Sequence, residues 1–523
     1  MAKRILFITT DMMRWDSLGF TGCSYVNTPV IDKLAAEGIY YENAYNQNPL
    51  CMPSRNVMLT GQYPRTNGSW NNGIALTHDS PTVAEVLHDA GFRTALIGKA
   101  HFEPYSSKHS METFGLGENY RFAPFRGFDH FIGVAHDQTP LNGHYAMWMK
   151  KHYPQYMQGD DYLYKLLIVP EKPGEHSRMN ISEGGETGAV FVKKNLMPRE
   201  LYHTDWTADH AIRYMESIDE EEDWFVWVSF PDPHHPWDPP SSEDHRCSWE
   251  DVPPVEGFGE SDEQRLEWLE DKPWHWKEWY TGEKFVSFEA LQGYSYQQKL
   301  KSEHVREIRA KVAIKNELID EAIGRIIQFL EDKGWLDDTH IIFTPDHGAM
   351  DGDYGLLLIG PDLTNHCTKL PMIYKPAKNA NIPTTDVTSP VGIVDLAPTF
   401  CELAGTEVPD WMEGSPLPVN QEEAEKQDRQ VVFTQYESHT PDAHIIMNAA
   451  RNERYSCIAY ERTPTYEGTE GELYDRENDP GELVNLWDDP AHQAIKEELV
   501  GQIENVLLAR PLNHPLPEPG ALI

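Results

Sequence analysis

The chain is built around one stretch, which reads Pro49-Leu50-Cys51-Met52-Pro53-Ser54-Arg55-Asn56-Val57-Met58-Leu59-Thr60-Gly61. Proline suits the first turn of a helix because its missing N–H has no helical partner to lose there. We therefore predict that a helix begins at Pro53, with Cys51 just ahead of it. The free N–H groups and the positive end of the helix dipole would then favour negative charge beside Cys51. Arg55, in the first turn, adds a guanidinium group that suits oxyanions.

The charge balance excludes one large class of partners. The 523 residues include 84 acidic and 44 basic side chains, which gives a formal net charge of −40. Nucleic-acid binding needs a basic surface, so we expect no nucleic-acid partner. The same negative field would repel an anionic substrate. A site for a small anion therefore needs a local cluster of positive side chains or a metal ion.

Cysteine use and hydropathy predict a cytoplasmic protein. The six cysteines are far apart and lack zinc-finger spacing, which indicates reduced thiols rather than a disulfide framework. They are Cys23, Cys51, Cys247, Cys367, Cys401 and Cys457. The apolar run near the N-terminus is shorter than the core of a signal peptide. No apolar run is long enough to cross a membrane, so we expect no membrane partner.

Short apolar runs that alternate with amphipathic helices predict an α/β fold. Four mainly apolar runs have strand length and look buried, as strands of a parallel sheet are. They are residues 5–8, 94–97, 225–230 and 339–344. Predicted helices cover residues 30–38, 82–90, 207–217, 305–330 and 394–404, and a further strand covers residues 370–374.

The pattern changes near residue 430, and this predicts a large domain over residues 1–428 and a smaller α+β subdomain over residues 429–523. The strands after this point are shorter and alternate in polarity, and a last helix is predicted over residues 490–508. Within the large domain, residues 241–295 are rich in Trp and Pro and form a predicted insert. The insert has three interpretations: loop packing, an aromatic wall of a substrate cleft, or a contact within a homo-oligomer.

Ionisable side chains come directly after each of the four buried strands. In chain order they are Asp11, then Lys99 with His101, then His234, then Asp346 with His347. Ligands of open α/β sheets bind outside the carboxyl ends of the strands, so we expect all of these side chains to share one site. Two carboxylates and an imidazole suit a divalent metal such as Ca²⁺ or Mn²⁺. The candidate metal ligands are therefore Asp11, Asp346 and His347.

The remaining side chains indicate how such a site would act on an anion. The metal and Arg55 would hold the oxygens of a tetrahedral anion. Lys99, His101 and His234 would stabilise charge and donate protons to a leaving oxygen. Taken singly, these side chains have ordinary explanations as solvated charges or hydrogen-bonded histidines, and Cys51 as a small buried hydrophobic group. Their matching positions at strand ends are what favours a site.

Two longer motifs resemble the signatures of the type I sulfatases, a family of the alkaline-phosphatase-like superfamily. Residues 51–55 match Cys-x-Pro-Ser-Arg, and residues 91–101, which read Gly-Phe-Arg-Thr-Ala-Leu-Ile-Gly-Lys-Ala-His, resemble the second signature. The strand with Asp11 and the segments 233–236, 346–348 and 473–486 also look like the family. The resemblance covers most of the chain. It implies an alkaline-phosphatase-like mixed, mostly parallel sheet flanked by helices.

The resemblance also implies a nucleophile and a metal site. The Cys51 thiol would be oxidised after translation to formylglycine, which requires a formylglycine-generating or sulfatase-maturing enzyme as a partner. The hydrate of the formylglycine aldehyde would attack a small anionic ester and later expel sulfate. One divalent metal would bind Asp11, residue 51, Asp346 and His347.

Roles for the other residues follow from the same resemblance. Arg55 would steady the hydrate, and Lys99 and His101 would contact the sulfate and the nucleophile. His234 would protonate or stabilise the leaving oxygen. Asn72 would contact the anion.

The sequence departs from the commonest sulfatase pattern at two metal-site positions. Met12 stands where many sulfatases have a second aspartate, and His347 stands where many have asparagine. Both changes resemble the phosphonate monoester hydrolase and choline-sulfatase branch, and they imply four metal ligands rather than five. The Gly-Lys-x-His element at residues 98–101, which the phosphonate hydrolases lack, is nevertheless intact.

A third departure concerns a lysine that contacts sulfate in the family. Its position in Leu-Lys-Gly-Pro is occupied by Ile359. Either this charge is missing, or Lys369 or His366 supplies it from another direction. The leading hypothesis is hydrolysis of sulfate monoesters, with phosphonate or phosphate esters as a side activity. The alternatives are a phosphonate monoester or phosphodiester hydrolase, and a non-catalytic binding protein in which Cys51 stays unmodified.

Overall fold

A mixed eight-stranded sheet lies at the centre of the part of the chain that the structure describes. This computed structural model describes residues 3–104, 110, 112, 125–134, 143–156, 183–287 and 297–516. The strands are β1 (Arg4–Asp11), β2 (Ile39–Tyr45), β3 (Arg93–Gly98), β4 (His130–Gly133), β5 (Glu183–Gly184), β6 (Ala189–Val190), β7 (Trp224–Pro233), β8 (Thr339–Pro345), β9 (Met350–Asp351), β10 (Leu357–Leu358), β11 (Lys369–Lys375), β12 (Val391–Gly392), β13 (Val432–His439), β14 (His444–Arg451), β15 (Tyr455–Tyr460) and β16 (Gly471–Asp475).

The central sheet has the order β12-β2-β11-β8-β1-β7-β3-β4. Strands β8, β1, β7, β3 and β4 run parallel to one another, whereas β11 runs antiparallel to both of its neighbours, β8 and β2. This confirms the predicted mixed, mostly parallel sheet. The four strands predicted from apolar runs are β1, β3, β7 and β8, and the structure places them side by side.

Helices cover both faces of this sheet. They are α1 (Pro29–Glu37), α2 (Cys51–Thr60), α3 (Pro64–Asn67), α4 (Val83–Asp89), α5 (Gly143–His152), α6 (His203–Glu216), α7 (Asp262–Glu270), α8 (Trp274–Thr281), α9 (Ser302–Asp332), α10 (Asn365–Thr368), α11 (Leu396–Ala404), α12 (Gln421–Lys426) and α13 (Gln493–Gln502). Because side chains alternate along a strand, Ile5 and Phe7 of β1 pack with α2, α4 and α11. Leu6 and Ile8 pack on the opposite face with α1, α6 and α9.

Several predicted helix starts differ from the structure by two to four residues. Helix α2 begins at Cys51, with Leu50 as its N-cap, rather than at Pro53. None of the first N–H groups of a helix has an intrahelical partner, so proline is tolerated at the third position as well as the first. Helix α6 begins at His203, four residues before the predicted start, because the 3.6-residue pattern alone does not mark a helix end.

Strands β13 to β16 form a separate antiparallel sheet, and the Trp-rich insert packs against it. Trp276 and Trp279 of α8 are fully buried in a core shared with this sheet. The ammonium of Lys272 donates to the Tyr474 hydroxyl at 2.6 Å and lies 4.2 Å from the centre of that ring. The two buried tryptophans therefore serve packing, as the first interpretation of the insert states. Trp274 is 41% exposed, and packing does not account for it.

All six cysteines are free thiols in the structure. Within the described ranges, no helix has the length and apolar character that crossing a membrane would require.

Gly98→Ala should destabilise the protein more than Gly91→Ala. Both glycines have positive φ, at 110° and 93°, where a Cβ costs about 1–2 kcal/mol. A Cβ at Gly98 would also overlap the Ser229 carbonyl oxygen, which accepts the Lys99 N–H at 2.8 Å, whereas a Cβ at Gly91 would meet nothing within 4 Å. Thermal and denaturant unfolding of both variants would measure the difference. Equal losses of unfolding free energy in the two variants would contradict this prediction, because they would show that β3 and β7 can move apart without destabilising the protein.

Candidate active site

The carboxyl ends of β8, β1, β7 and β3 meet at one edge of the sheet, and the candidate side chains lie there. Asp11 ends β1, Lys99 follows β3, His234 follows β7 and Asp346 follows β8. Because these strands are parallel neighbours, the residue after each strand arrives at the same edge. The structure thus brings together groups that are far apart in the sequence.

Four potential ligand atoms cluster at this edge. One atom each from Asp11, Cys51, Asp346 and His347 lies within 4.8 Å of all the others. The His347 Nδ1 lies 2.7 Å from the Gly348 carbonyl oxygen, which can only accept, so Nδ1 carries the proton. The Nε2 of His347 consequently offers a lone pair, 3.0 Å from Cys51 Sγ and 3.5 Å from Asp11 Oδ1.

This donor set fits a divalent cation. All four side chains are buried. Among the described residues, Asp11 Oδ1 has no hydrogen-bond partner, which is costly for a buried carboxylate oxygen unless a cation satisfies it. Two carboxylates with one imidazole suit a hard or borderline cation such as Ca²⁺ or Mn²⁺.

Helix α2 places Cys51 at its first position, where the helix dipole is positive. The Met52 N–H donates to Asn72 Oδ1 at 3.2 Å, so Asn72 caps this helix start. The Ser54 hydroxyl donates to the Asp346 carbonyl oxygen at 2.6 Å. The sequence resemblance assigns Asn72 to contact with the anion, and this stays a prediction. In the structure, its amide oxygen accepts the N–H of the residue that follows Cys51.

Arg55 joins three strands to the helix. Its Nε donates to Asp346 Oδ2 at 2.7 Å, and its Nη1 donates to the Lys99 carbonyl oxygen at 2.9 Å and to the Ser229 hydroxyl at 2.8 Å. The guanidinium group is fully buried. Arg55 is therefore fixed between β8, β3 and β7, and it holds one of the two candidate metal carboxylates.

Lys99 holds the other carboxylate. Its ammonium forms a fully buried ion pair with Asp11 Oδ2. Burial alone raises the pKa of Asp11, but the Lys99 and Arg55 charges outweigh it and leave this pKa below its ordinary value. Asp11 is therefore ionised and available to a cation.

His101 is held through its backbone by Glu112. The Glu112 carboxylate accepts the His101 N–H at 2.7 Å and the Phe102 N–H at 2.5 Å. His101 has a φ of 53°, a left-handed conformation that is uncommon for a non-glycine residue. Burial, together with the charges of Lys99 and Arg55, holds the pKa of His101 well below its usual value, so its imidazole is neutral.

His234 is buried with a fixed ring. Its Nδ1 lies 2.5 Å from the His235 carbonyl oxygen, so Nδ1 carries the proton and Nε2 bears the lone pair of the ring. Burial and the charge of Lys99 hold the pKa of His234 well below its usual value. The ring of His235 stacks on it, with centroids 4.1 Å apart.

Ile359, at the position of the family's lysine, is buried in an apolar cluster. The Lys369 ammonium lies 4.5 Å from the centre of the Trp15 ring. The His366 ring contacts the Thr364 hydroxyl at 3.1 Å and Asp353 Oδ1 at 3.4 Å. The contacts of both candidates thus lie outside the four-ligand cluster.

Two supporting residues escaped the sequence analysis. Ser229 is a hydroxyl inside an otherwise apolar strand, and that interruption was a usable signal. Glu112 lies in a Gly- and aromatic-rich region without clear periodicity, so no local pattern indicates that its carboxylate reaches back to residues 101 and 102.

Comparison with known proteins gives one family over most of the chain. The profile of the family described as Sulfatase matches residues 3–406. A second profile, described as N-sulphoglucosamine sulphohydrolase, C-terminal, matches residues 363–508.

The chain is also similar to individual sulfatases and to a solved structure of a related fold. An arylsulfatase of Clostridium perfringens (strain 13 / Type A) is 26% identical over 498 residues, which cover 93% of this chain and 90% of that protein. A choline-sulfatase of Rhizobium meliloti (strain 1021) is 25% identical, with 93% and 82% covered. Among solved structures, a phosphonate monoester hydrolase from Silicibacter pomeroyi superposes with a TM-score of 0.75 at 21% identity, covering 97% of this chain and 95% of that one.

Glu112→Gln should flatten the dependence of stability on pH. Burial and the charge of Glu103 raise the pKa of Glu112 from 4.5 to about 8, so the folded state binds more protons than the unfolded state between these values. The free energy of unfolding of the wild type therefore falls as pH rises through this window, and glutamine, which does not ionise, removes this contribution.

Thermal unfolding of the wild type and Glu112→Gln between about pH 5 and 8 measures the effect. Glu37→Gln, at an exposed surface position paired with Lys33, is the matched control and should reproduce the wild-type slope. Parallel profiles for the wild type and Glu112→Gln would contradict the assignment.

Proposed function

This chain belongs to the sulfatase family, and we propose that it hydrolyses sulfate monoesters by means of a formylglycine formed from Cys51 and one divalent metal ion. Its substrate would be a small anionic ester, and a maturation enzyme would act on Cys51. The metal would be Ca²⁺ or Mn²⁺, held by Asp11, residue 51, Asp346 and His347.

One observation carries the proposal. The ligand atoms of two carboxylates, one imidazole and residue 51 lie within 4.8 Å of one another, and a buried Arg and a buried Lys pair with the carboxylates. The charges of the two ion pairs balance, so a bound divalent cation would give the site a net charge of about +2 in a chain of net charge −40. Such a cluster attracts a small anion that the rest of the molecule repels.

The protein's own side chains prepare the site. When present, the cation would supply positive charge to a sulfate oxygen, and the formylglycine hydrate would supply a hydroxyl nucleophile where the Cys51 thiol now lies. Lys99 keeps Asp11 ionised and oriented, and Arg55 does the same for Asp346. Both ion pairs are buried, so the site needs no rearrangement of charge during the reaction.

His234 is the residue best placed to assist the leaving oxygen. Its Nδ1 proton is committed to the His235 carbonyl, so Nε2 must take up a proton before it can donate one. The low pKa of His234 comes from burial and from Lys99. A bound anionic ester offsets the charge of Lys99, and this favours uptake of the proton together with substrate.

A phosphonate monoester hydrolase is the second candidate. The specific support for it is the candidate ligand cluster, which includes His347, together with Met12 at the position where many sulfatases have a second aspartate. Sulfate monoesters and phosphonate monoesters both carry one negative charge, so the same cluster suits both. A binding protein with unmodified Cys51 is the non-catalytic alternative.

Cys51 should be found as formylglycine in protein made by its native host. Mass spectrometry of the peptide that contains residue 51 checks this. Cys51→Ala should keep the fold, because the thiol contributes little packing, and should lose at least about a thousandfold in kcat/KM, as expected when a nucleophile is removed. An intact thiol in fully active protein, or an active Cys51→Ala variant, would overturn the mechanism.

An aryl sulfate should be a better substrate than an aryl phosphonate monoester with the same phenol. We expect a ratio of kcat/KM of at least about ten, or about 1.4 kcal/mol in favour of the sulfate transition state. Lys99→Met should lower both activities together, because one site serves both. A strong preference for the phosphonate would replace the leading proposal by the second candidate.

A further inference from the structure

A buried lysine lies directly beneath the His234 loop. Lys315, on α9, is fully buried. Its Nζ donates to the carbonyl oxygens of His234 and Pro236, each at 2.8 Å. Its third N–H faces Asp232 Oδ1 at 3.0 Å, with Asp238 Oδ1 at 3.5 Å. All three N–H groups of the ammonium thus contact the segment that carries His234.

Asp232 anchors this lysine from the other side. Its Oδ2 accepts from the Thr204 hydroxyl at 2.6 Å and lies 3.0 Å from His203 Nε2. The Tyr202 hydroxyl donates to Oδ1 at 3.2 Å. Burial raises the pKa of Asp232, but the charges of His203 and Lys315 outweigh it and hold this pKa far below its ordinary value. Asp232 therefore stays ionised and compensates the buried ammonium.

The contacts of Lys315 restrict the orientation of the His234 imidazole. The His234 ring is oriented by the His235 carbonyl, and Lys315 fixes the two carbonyls on either side of that one. With the carbonyl groups on both sides of that one held by Lys315, the segment has little freedom to rotate. The direction of His234 Nε2 thus depends on a charge that is located on another element.

We propose that Lys315 is a positioning residue that holds His234 Nε2 in line with the leaving oxygen of the ester. This rests on the proposed function, in which His234 assists that oxygen. The contacts of Lys315 in the described part of the chain are with the segment from Asp232 to Asp238, and the four candidate metal ligands lie outside that segment. The loss of Lys315 should therefore impair the transfer of a proton to the leaving group and leave the nucleophilic half of the site intact.

This role predicts a graded effect. Phenols of low pKa leave without help, whereas phenols of high pKa need a proton. In Lys315→Met, kcat/KM should fall less than about threefold for the best leaving group and at least about thirtyfold for the poorest. Replacing His234 by glutamine should give a graded loss of the same direction.

The experiment measures kcat/KM for a series of aryl sulfates in the wild type, Lys315→Met and a control. Lys311→Met is the matched control, since Lys311 lies one turn away on α9 and pairs with the surface residue Asp244 at 2.7 Å. If Lys315→Met does not fold, the double variant Lys315→Met/Asp232→Asn removes both buried charges together and takes its place.

Each outcome is decisive. A loss that grows with the pKa of the phenol in the Lys315 variant, and not in Lys311→Met, supports the proposal. An equal loss for all phenols shows a merely structural role and overturns it.

A wild type that hydrolyses aryl phosphonates but not aryl sulfates overturns the proposed substrate alone, and the same series of phenols on phosphonates then tests Lys315. A wild type inactive on both esters overturns the proposed function together with the role of His234.

Discussion

Arg55 and Asp346 meet at 2.7 Å where helix α2 enters the edge of the sheet, and neither side chain reaches solvent. Asp346 also accepts the backbone N–H groups of His347 at 2.9 Å and Met12 at 3.3 Å. One carboxylate thus joins the end of β8, the loop after β1 and the helix that carries Cys51. Removing either partner of such a pair leaves a buried charge uncompensated, which costs about 3–5 kcal/mol.

This arrangement explains why much of the site was predictable. Buried apolar strands followed at once by ionisable residues are a local signal, and parallel pairing turns that signal into a shared position in space. The order of the strands was not predictable, because it depends on long-range packing. The helix start at Cys51 was misplaced for a local reason, since proline is tolerated at more than one position of the first turn.

The supporting residues show where sequence reasoning ends. Lys315 falls three residues after Val312 and four before Ile319, on the apolar stripe of α9, so a lysine in that place was a visible anomaly. The sequence does not show which residues Lys315 contacts, however, because these contacts depend on how α9 packs against the end of β7 at Pro233. Glu112 offered no anomaly at all. Local patterns therefore identify the candidate site residues and can single out some supporting residues, whereas the contacts that the supporting residues make become visible only in three dimensions.

Cys51 is only 2% exposed, and it is enclosed by Asp11, Asp346 and His347. Under the proposed function, an enzyme that converts this thiol to an aldehyde would have almost no access to it in the folded protein. Under the proposed function, the conversion therefore has to precede folding. The time available for it would be the interval between the synthesis of residues 49–61 and the arrival of β8, almost three hundred residues later, and in that interval the conversion would compete with folding.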